Sequence, residues 1–102
     1  MSRGIPIKVI PRRIYGVYVV GFADYVKIGC SANAIDRIEQ LQEYAPAPLI
    51  VYRIIEGHGR KTERELHAKY AAYRTRGEWF QKDGELKRWI VGGCPLLVAV
   101  NT

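Results

Sequence analysis

The stretch at 15–31, Tyr-Gly-Val-Tyr-Val-Val-Gly-Phe-Ala-Asp-Tyr-Val-Lys-Ile-Gly-Cys-Ser, constrains the fold more than any other part of the chain. Two runs rich in Tyr, Val and Ile flank a corner of small residues, which is the pattern of a β-hairpin. A loop over residues 21–24 sets Val20 opposite Tyr25 and Tyr18 opposite Lys27. Because side chains alternate along a strand, Tyr18 and Lys27 then project from one face as a cross-strand pair. A lysine inside a run otherwise suited to burial asks for a partner.

Three further segments carry periodic apolar residues. Ile35, Ile38 and Leu41 follow an Asn33/Asp36 capping pattern and precede Pro46, which reads as a helix. Arg37 borders that stripe, where a long side chain can lie against the core and still reach a cleft. Residues 48–57 form an apolar strand stopped by Gly57 and Gly59. Leu66, Tyr70 and Tyr73 then share a side of a second helix, with Thr62 and Glu65 as a capping box and Gly77 as the terminator. A last helix starts at Asp83 and stops at Gly92, and the apolar tail from Cys94 adds an edge strand. The order β-β-α-β-α-α implies an α+β fold, a small three-stranded antiparallel sheet flanked by helices, with an extra C-terminal strand as an option.

With 102 residues the chain suits one domain, here taken as 14–102, which buries roughly two thirds of its unfolded surface. Residues 1–13 form a basic arm with Arg3, Lys8, Arg12 and Arg13 and no acid. Sixteen Lys and Arg against ten Asp and Glu leave a charge of +6, which favours polyanionic partners such as nucleic acid. Arg12, Arg13, Arg74 and Arg76 are the expected phosphate contacts. The common nucleotide, zinc-protease and hydrolase signatures do not occur, and Cys30 and Cys94 have no metal-type spacing. No apolar run approaches membrane-spanning length, so the expectation is a protein of the reducing cytoplasm with no membrane partner.

Gly-Val-Tyr at 16–18, Lys-Ile-Gly at 27–29, Arg37 and Thr-Glu-Arg-Glu-Leu-His at 62–67 together resemble the GIY-YIG nuclease superfamily. The closer likeness is to a short phage-type branch with Lys-Ile-Gly-x-Ser and Gly-Glu-Trp-Phe, matched here by 27–31 and 77–80. In that likeness Lys27 stands where other members keep a second tyrosine, and Cys30 where a lysine is usual.

The resemblance implies a metal-dependent endonuclease that hydrolyses phosphodiester bonds, with DNA the expected substrate. Its catalytic residues are Tyr18, Lys27, Arg37, Glu63 and His67. Glu63 binds the divalent metal, magnesium or alternatively manganese; Glu65 and Glu78 are the other candidate ligands. A phenol with a free pKa of about 10 is a poor base, so Lys27 opposite Tyr18 would favour the phenolate, or would contact a phosphate instead. His67, one turn after Glu63, holds the glutamate or a water, or simply packs. Trp79 and Phe80 read as core. A non-catalytic nucleic-acid-binding module is the alternative, and a protein-interaction subunit with incidental charge the third reading. Specificity is expected to come from nucleic-acid shape, strand state or a protein partner, and a homodimer would ease a double-strand cut.

Overall fold

In the computed structural model, which describes residues 13–96, the hairpin is the centre of the sheet. Strand β1 (Gly16–Phe22) pairs antiparallel with β2 (Tyr25–Ser31) through a two-residue turn at Ala23 and Asp24. Ala23 adopts φ +52°, the left-handed conformation that so tight a turn requires. Gly21 is needed for a different reason. A Cβ there would run into the Tyr25 carbonyl oxygen.

The shorter turn corrects the expected register. Tyr18 faces Gly29, and Lys27 faces Val20. Since the shift is two residues, the parity of the pleat is kept, and Tyr18 and Lys27 stay on one face as diagonal neighbours.

Helix α1 (Ala34–Tyr44) follows, then β3 (Ile50–Glu56), α2 (Arg60–Lys69), a 3-10 turn (Ala71–Tyr73), β4 (Arg74–Arg76), β5 (Trp79–Gln81) and α3 (Gly84–Val91). The sheet has five strands in the order β3-β1-β2-β5-β4, every neighbouring pair antiparallel. The α+β class therefore stands, while the three-stranded sheet is corrected to five strands. Arg12 and the rest of the basic arm lie outside the described residues, as do residues 97–102 of the expected terminal strand.

Alternation along β1 divides the core. Val17 and Val19 join Val26, Ile28, Ile55 and Phe80 beneath Leu66 of α2, Tyr70 just past its end, and Leu86, Trp89 and Ile90 of α3. Tyr18 and Val20 face the other way and meet Ala34, Ile38 and Leu41 of α1. Each helix follows from its own amphipathic stripe, because burying that stripe stabilises it more than intrinsic propensity does.

The start of α1 is fixed by a reciprocal cap. Asp36 N–H donates to Asn33 Oδ1 at 3.3 Å, and Asn33 Nδ2 donates to Asp36 Oδ2 at 2.8 Å. Asn33→Ala is expected to cost about 1 kcal/mol. A thermal melt checks this, with a fall of about 4–8 °C as the expected size for a domain of this length.

Candidate functional site

Strand β5 has three residues, and this brevity creates the site. The backbone pairing of β2 with β5 covers Tyr25, Val26 and Lys27, and Ile28 N–H then donates to the Glu78 carbonyl at 3.1 Å. Past that bond β2 continues as Gly29, Cys30 and Ser31 without β5 beside it. Gly29 has no side chain to block the gap. A Cβ placed on it would fall 2.8 Å from Glu78 Oε1 and closer still to the Tyr18 hydroxyl. The phenol of β1 and the carboxylate of the β4–β5 turn thus meet above one glycine. Tyr18 is itself buried, at 1% exposure.

Helix α2 adds the second acid. Glu63, in its first turn, is 5% exposed and is the one buried charged residue among those described. Its carboxyl interacts with that of Glu78, and Cys30 Sγ donates to Glu63 Oε1 at 3.7 Å. Burial first, and then the interaction with Glu78, hold the Glu63 carboxyl above the usual carboxylate range; His67 and Cys30 pull it partly back. Two carboxyl groups in such contact need a proton or a cation between them. Burial and the Glu63 charge also push the Cys30 thiol up, so it stays a neutral donor rather than a thiolate.

Arg37, exposed on α1, completes the group from the opposite face of the sheet. Its guanidinium donates to Gln40 Oε1 at 3.3 Å and acts electrostatically on the Tyr18 phenol. Burial nevertheless dominates at Tyr18 and raises its pKa; Arg37 opposes the rise, while Glu78 and Glu63 add to it.

This corrects the expected role of Lys27 as the charge that favours a Tyr18 phenolate. Lys27 Nζ lies 3.4 Å from Glu78 Oε1 and over the Trp79 ring, 5.3 Å from its centroid. The two-residue register shift moves its charge from the phenol to the carboxylate. Trp79 is accordingly a half-buried partner of Lys27 and Phe22, whereas Phe80 is the core residue.

His67 lies one turn after Glu63, and its Nε2–H donates to the Ile28 carbonyl at 2.8 Å. Its ring packs 5.1 Å from that of Phe80. The histidine therefore fastens α2 to β2 and sets the height at which Glu63 enters the site. Arg74 and Arg76 lie exposed on β4, on the strand that leads into the Glu78 turn, and Arg74 Nε donates to the Gly77 carbonyl at 2.6 Å. They flank the cluster without joining it. Arg13 is exposed ahead of β1. Glu65 is exposed on α2, among the residues lining a separate cavity with Leu66, Trp89 and Leu96.

Glu78 is the functional candidate that sequence reasoning ranked too low. The glycine before it, Gly77, is the sequence signal for a turn, and its φ of +56° places it in the β4–β5 hairpin rather than at a helix stop. The arrangement brings a phenol, a guanidinium and two carboxyl groups together from four elements. Such a set can bind a phosphate, hold a hard cation through oxygen, and move a proton at the phenol. Among the described residues, no three His, Cys, Asp or Glu side chains are grouped so as to hold a metal by themselves. None of the described helices is long and apolar enough to cross a membrane.

The family model of the T5orf172 domain matches residues 14–91. This is a different family from the GIY-YIG superfamily, and it overturns the resemblance drawn from the short triplets. Those triplets are two or three residues of an ordinary glycine- and aromatic-rich hairpin, and one of them carries Lys27 in place of a tyrosine. No curated protein and no solved structure matches the chain.

Proposed function

Since the chain belongs to the T5orf172 domain family, a phage-associated and nucleic-acid-related one, we propose that it is a divalent-metal-dependent endonuclease acting on DNA. The observation that carries this reading is the convergence of Tyr18, Arg37, Glu63 and Glu78 around the unblocked face of Gly29.

The donor set suits a hard cation. Magnesium is commonly held by one or two carboxylates, with waters and substrate phosphate filling the remaining positions. Glu63 and Glu78 would hold it, in place of the proton that otherwise lies between them. When bound, the ion supplies positive charge to the scissile phosphate. Arg37, exposed and directed at the same spot, neutralises charge on a phosphate oxygen as it develops. The Tyr18 hydroxyl, with a pKa raised by burial, orients the attacking water as a hydrogen-bonding group rather than as a phenolate. Lys27 keeps the Glu78 carboxylate in place through their 3.4 Å ion pair, and His67 fixes the helix that carries Glu63. The exposed Arg13, Arg74 and Arg76 grip neighbouring phosphates.

Supercoiled plasmid incubated with the protein tests this directly. Nicked or linear product is expected with magnesium or manganese and none with chelator. Retardation of DNA without hydrolysis in either ion would instead identify a non-catalytic binding module on this scaffold. No retention even at low salt would overturn both.

A further inference from the structure

Gly59, the N-cap of α2, has a φ of −124°, so its backbone does not call for glycine. Space does. A Cβ at Gly59 would collide with the hydroxyl of Tyr15 and lie 2.6 Å from its Cζ. The phenol end of Tyr15 is therefore seated on the backbone at the start of α2. The seat is closed from behind, because Gly57, at φ +84°, turns the chain so that its N–H donates to the Tyr15 carbonyl at 2.8 Å. Yet the residue is 49% exposed. A large ring gripped at its tip and left open on its side differs from the other exposed tyrosines. Tyr25 packs on Phe22 at the hairpin end, and Tyr44, at 86% exposure, caps no contact of this kind.

The place of this ring is as informative as its exposure. The Gly59 carbonyl that follows the seat accepts the Glu63 N–H at 3.0 Å, so Tyr15 lies one helical turn from the buried acid. Arg60 and Lys61, next along α2, and Arg13, two residues before Tyr15, are all exposed. A fixed aromatic face among cations is the arrangement by which proteins hold unpaired nucleotides. The ring stacks on a base and the cations follow the phosphates.

We propose that Tyr15 is the stacking platform for an unpaired base next to the phosphate that the site around Glu63 and Arg37 would engage, so that the substrate is single-stranded or locally opened nucleic acid. This rests on the nucleic-acid reading of the same site. A rigid, pre-seated ring loses little conformational freedom when a base lands on it, and it gives no selectivity among bases, since each has a π-face. Duplex DNA, whose bases are already stacked, gains nothing from it.

The test is fluorescence anisotropy in chelator, which prevents cutting, with a labelled oligothymidine and a duplex of equal length. Tyr15→Leu is expected to weaken binding of the single strand about tenfold and that of the duplex less than twofold, with Tyr15→Trp restoring the former. In the unaltered protein, a 2-aminopurine placed within the oligothymidine is expected to be quenched on binding. Undiminished single-strand binding by folded Tyr15→Leu, or no quenching in the unaltered protein, would overturn the platform and leave the nuclease reading standing. Failure of the unaltered protein to bind either probe would remove that reading as well.

Discussion

Glu63→Gln is expected to abolish cleavage and, in the same protein, to raise the melting temperature at neutral pH. The two effects have one cause. Glu63 is buried against a second carboxyl group, so its ionised form is disfavoured by lost hydration and by the Glu78 charge. Glutamine keeps the shape, accepts from Cys30 at the same oxygen, and can donate to Glu78. What disappears is the negative charge that would hold a divalent ion, and a loss of about 10²–10³-fold in rate is the expected scale for removing such a group.

The stability effect has a definite pH signature. A carboxyl whose pKa is raised by folding binds more protons folded than unfolded, so its contribution is full below its unfolded pKa and is lost as pH rises through the folded one. The glutamine does not titrate. Melts from pH 4 to 8 should therefore nearly coincide for the two proteins near pH 4 and separate as pH climbs, the variant above by several degrees. Magnesium supplies a further check. It should raise the melting temperature of the unaltered protein at pH 8 and leave that of Glu63→Gln unmoved, because only a binding site in the folded state shifts the equilibrium. A variant that melts lower than its parent at every pH would show that Glu63 is a well-satisfied structural acid.

The sequence carried the local structure well and the long-range pairings poorly. Helix α1 was legible from its Asn33 cap and its Ile35, Ile38 and Leu41 stripe, and α3 from Asp83 and Gly92, because caps and periodicity are local physics. The strands of the hairpin were legible as well. Their register was not, because Gly21 in Gly-Phe-Ala-Asp looks like the turn residue, whereas it makes room for the Tyr25 carbonyl while Ala23 takes the positive φ.

Helix α2 ends at Lys69, eight residues before the expected stop at Gly77. Tyr70 and Tyr73 continue its apolar spacing, but a 3-10 turn and the tiny β4–β5 hairpin take over there. Strands of three residues leave no periodic trace, and their pairing with β2 is a tertiary event. That is why Glu78 ranks below Glu63 on sequence alone. It belongs to the site only because β5 docks beside β2. Tyr18, Arg37 and Glu63 were named through a resemblance that does not hold as a family assignment, yet the fold does bring these three together. Composition and periodicity alone make Tyr18 a half-buried strand tyrosine and Glu63 a helix-start acid.

Gly29→Ala should damage stability and cleavage together through a single methyl group. Gly29 is not among the glycines with positive φ, so alanine meets no backbone obstacle there. Its Cβ, however, would press on the Tyr18 hydroxyl and stand 2.8 Å from Glu78 Oε1. Neither neighbour can yield freely. Tyr18 is buried beside Val20 and Ala34, and Glu78 is held by Lys27 on one side and Glu63 on the other. Overpacking of this kind costs about 1–3 kcal/mol, and displacing reacting groups by about 1 Å lowers rates by about a hundredfold. Both are expected together, as a lowered melting temperature and as cleavage reduced about a hundredfold in the protein that remains folded. Tyr18→Phe, which removes the hydroxyl under most pressure, should recover part of the stability lost by Gly29→Ala without restoring cleavage. The pair should depart from additivity by more than about 0.5 kcal/mol, since the two residues share one contact. Unaltered melting and unaltered cleavage in Gly29→Ala would mean that phenol and carboxylate do not meet above this glycine, and the site would have to be sought elsewhere on the sheet.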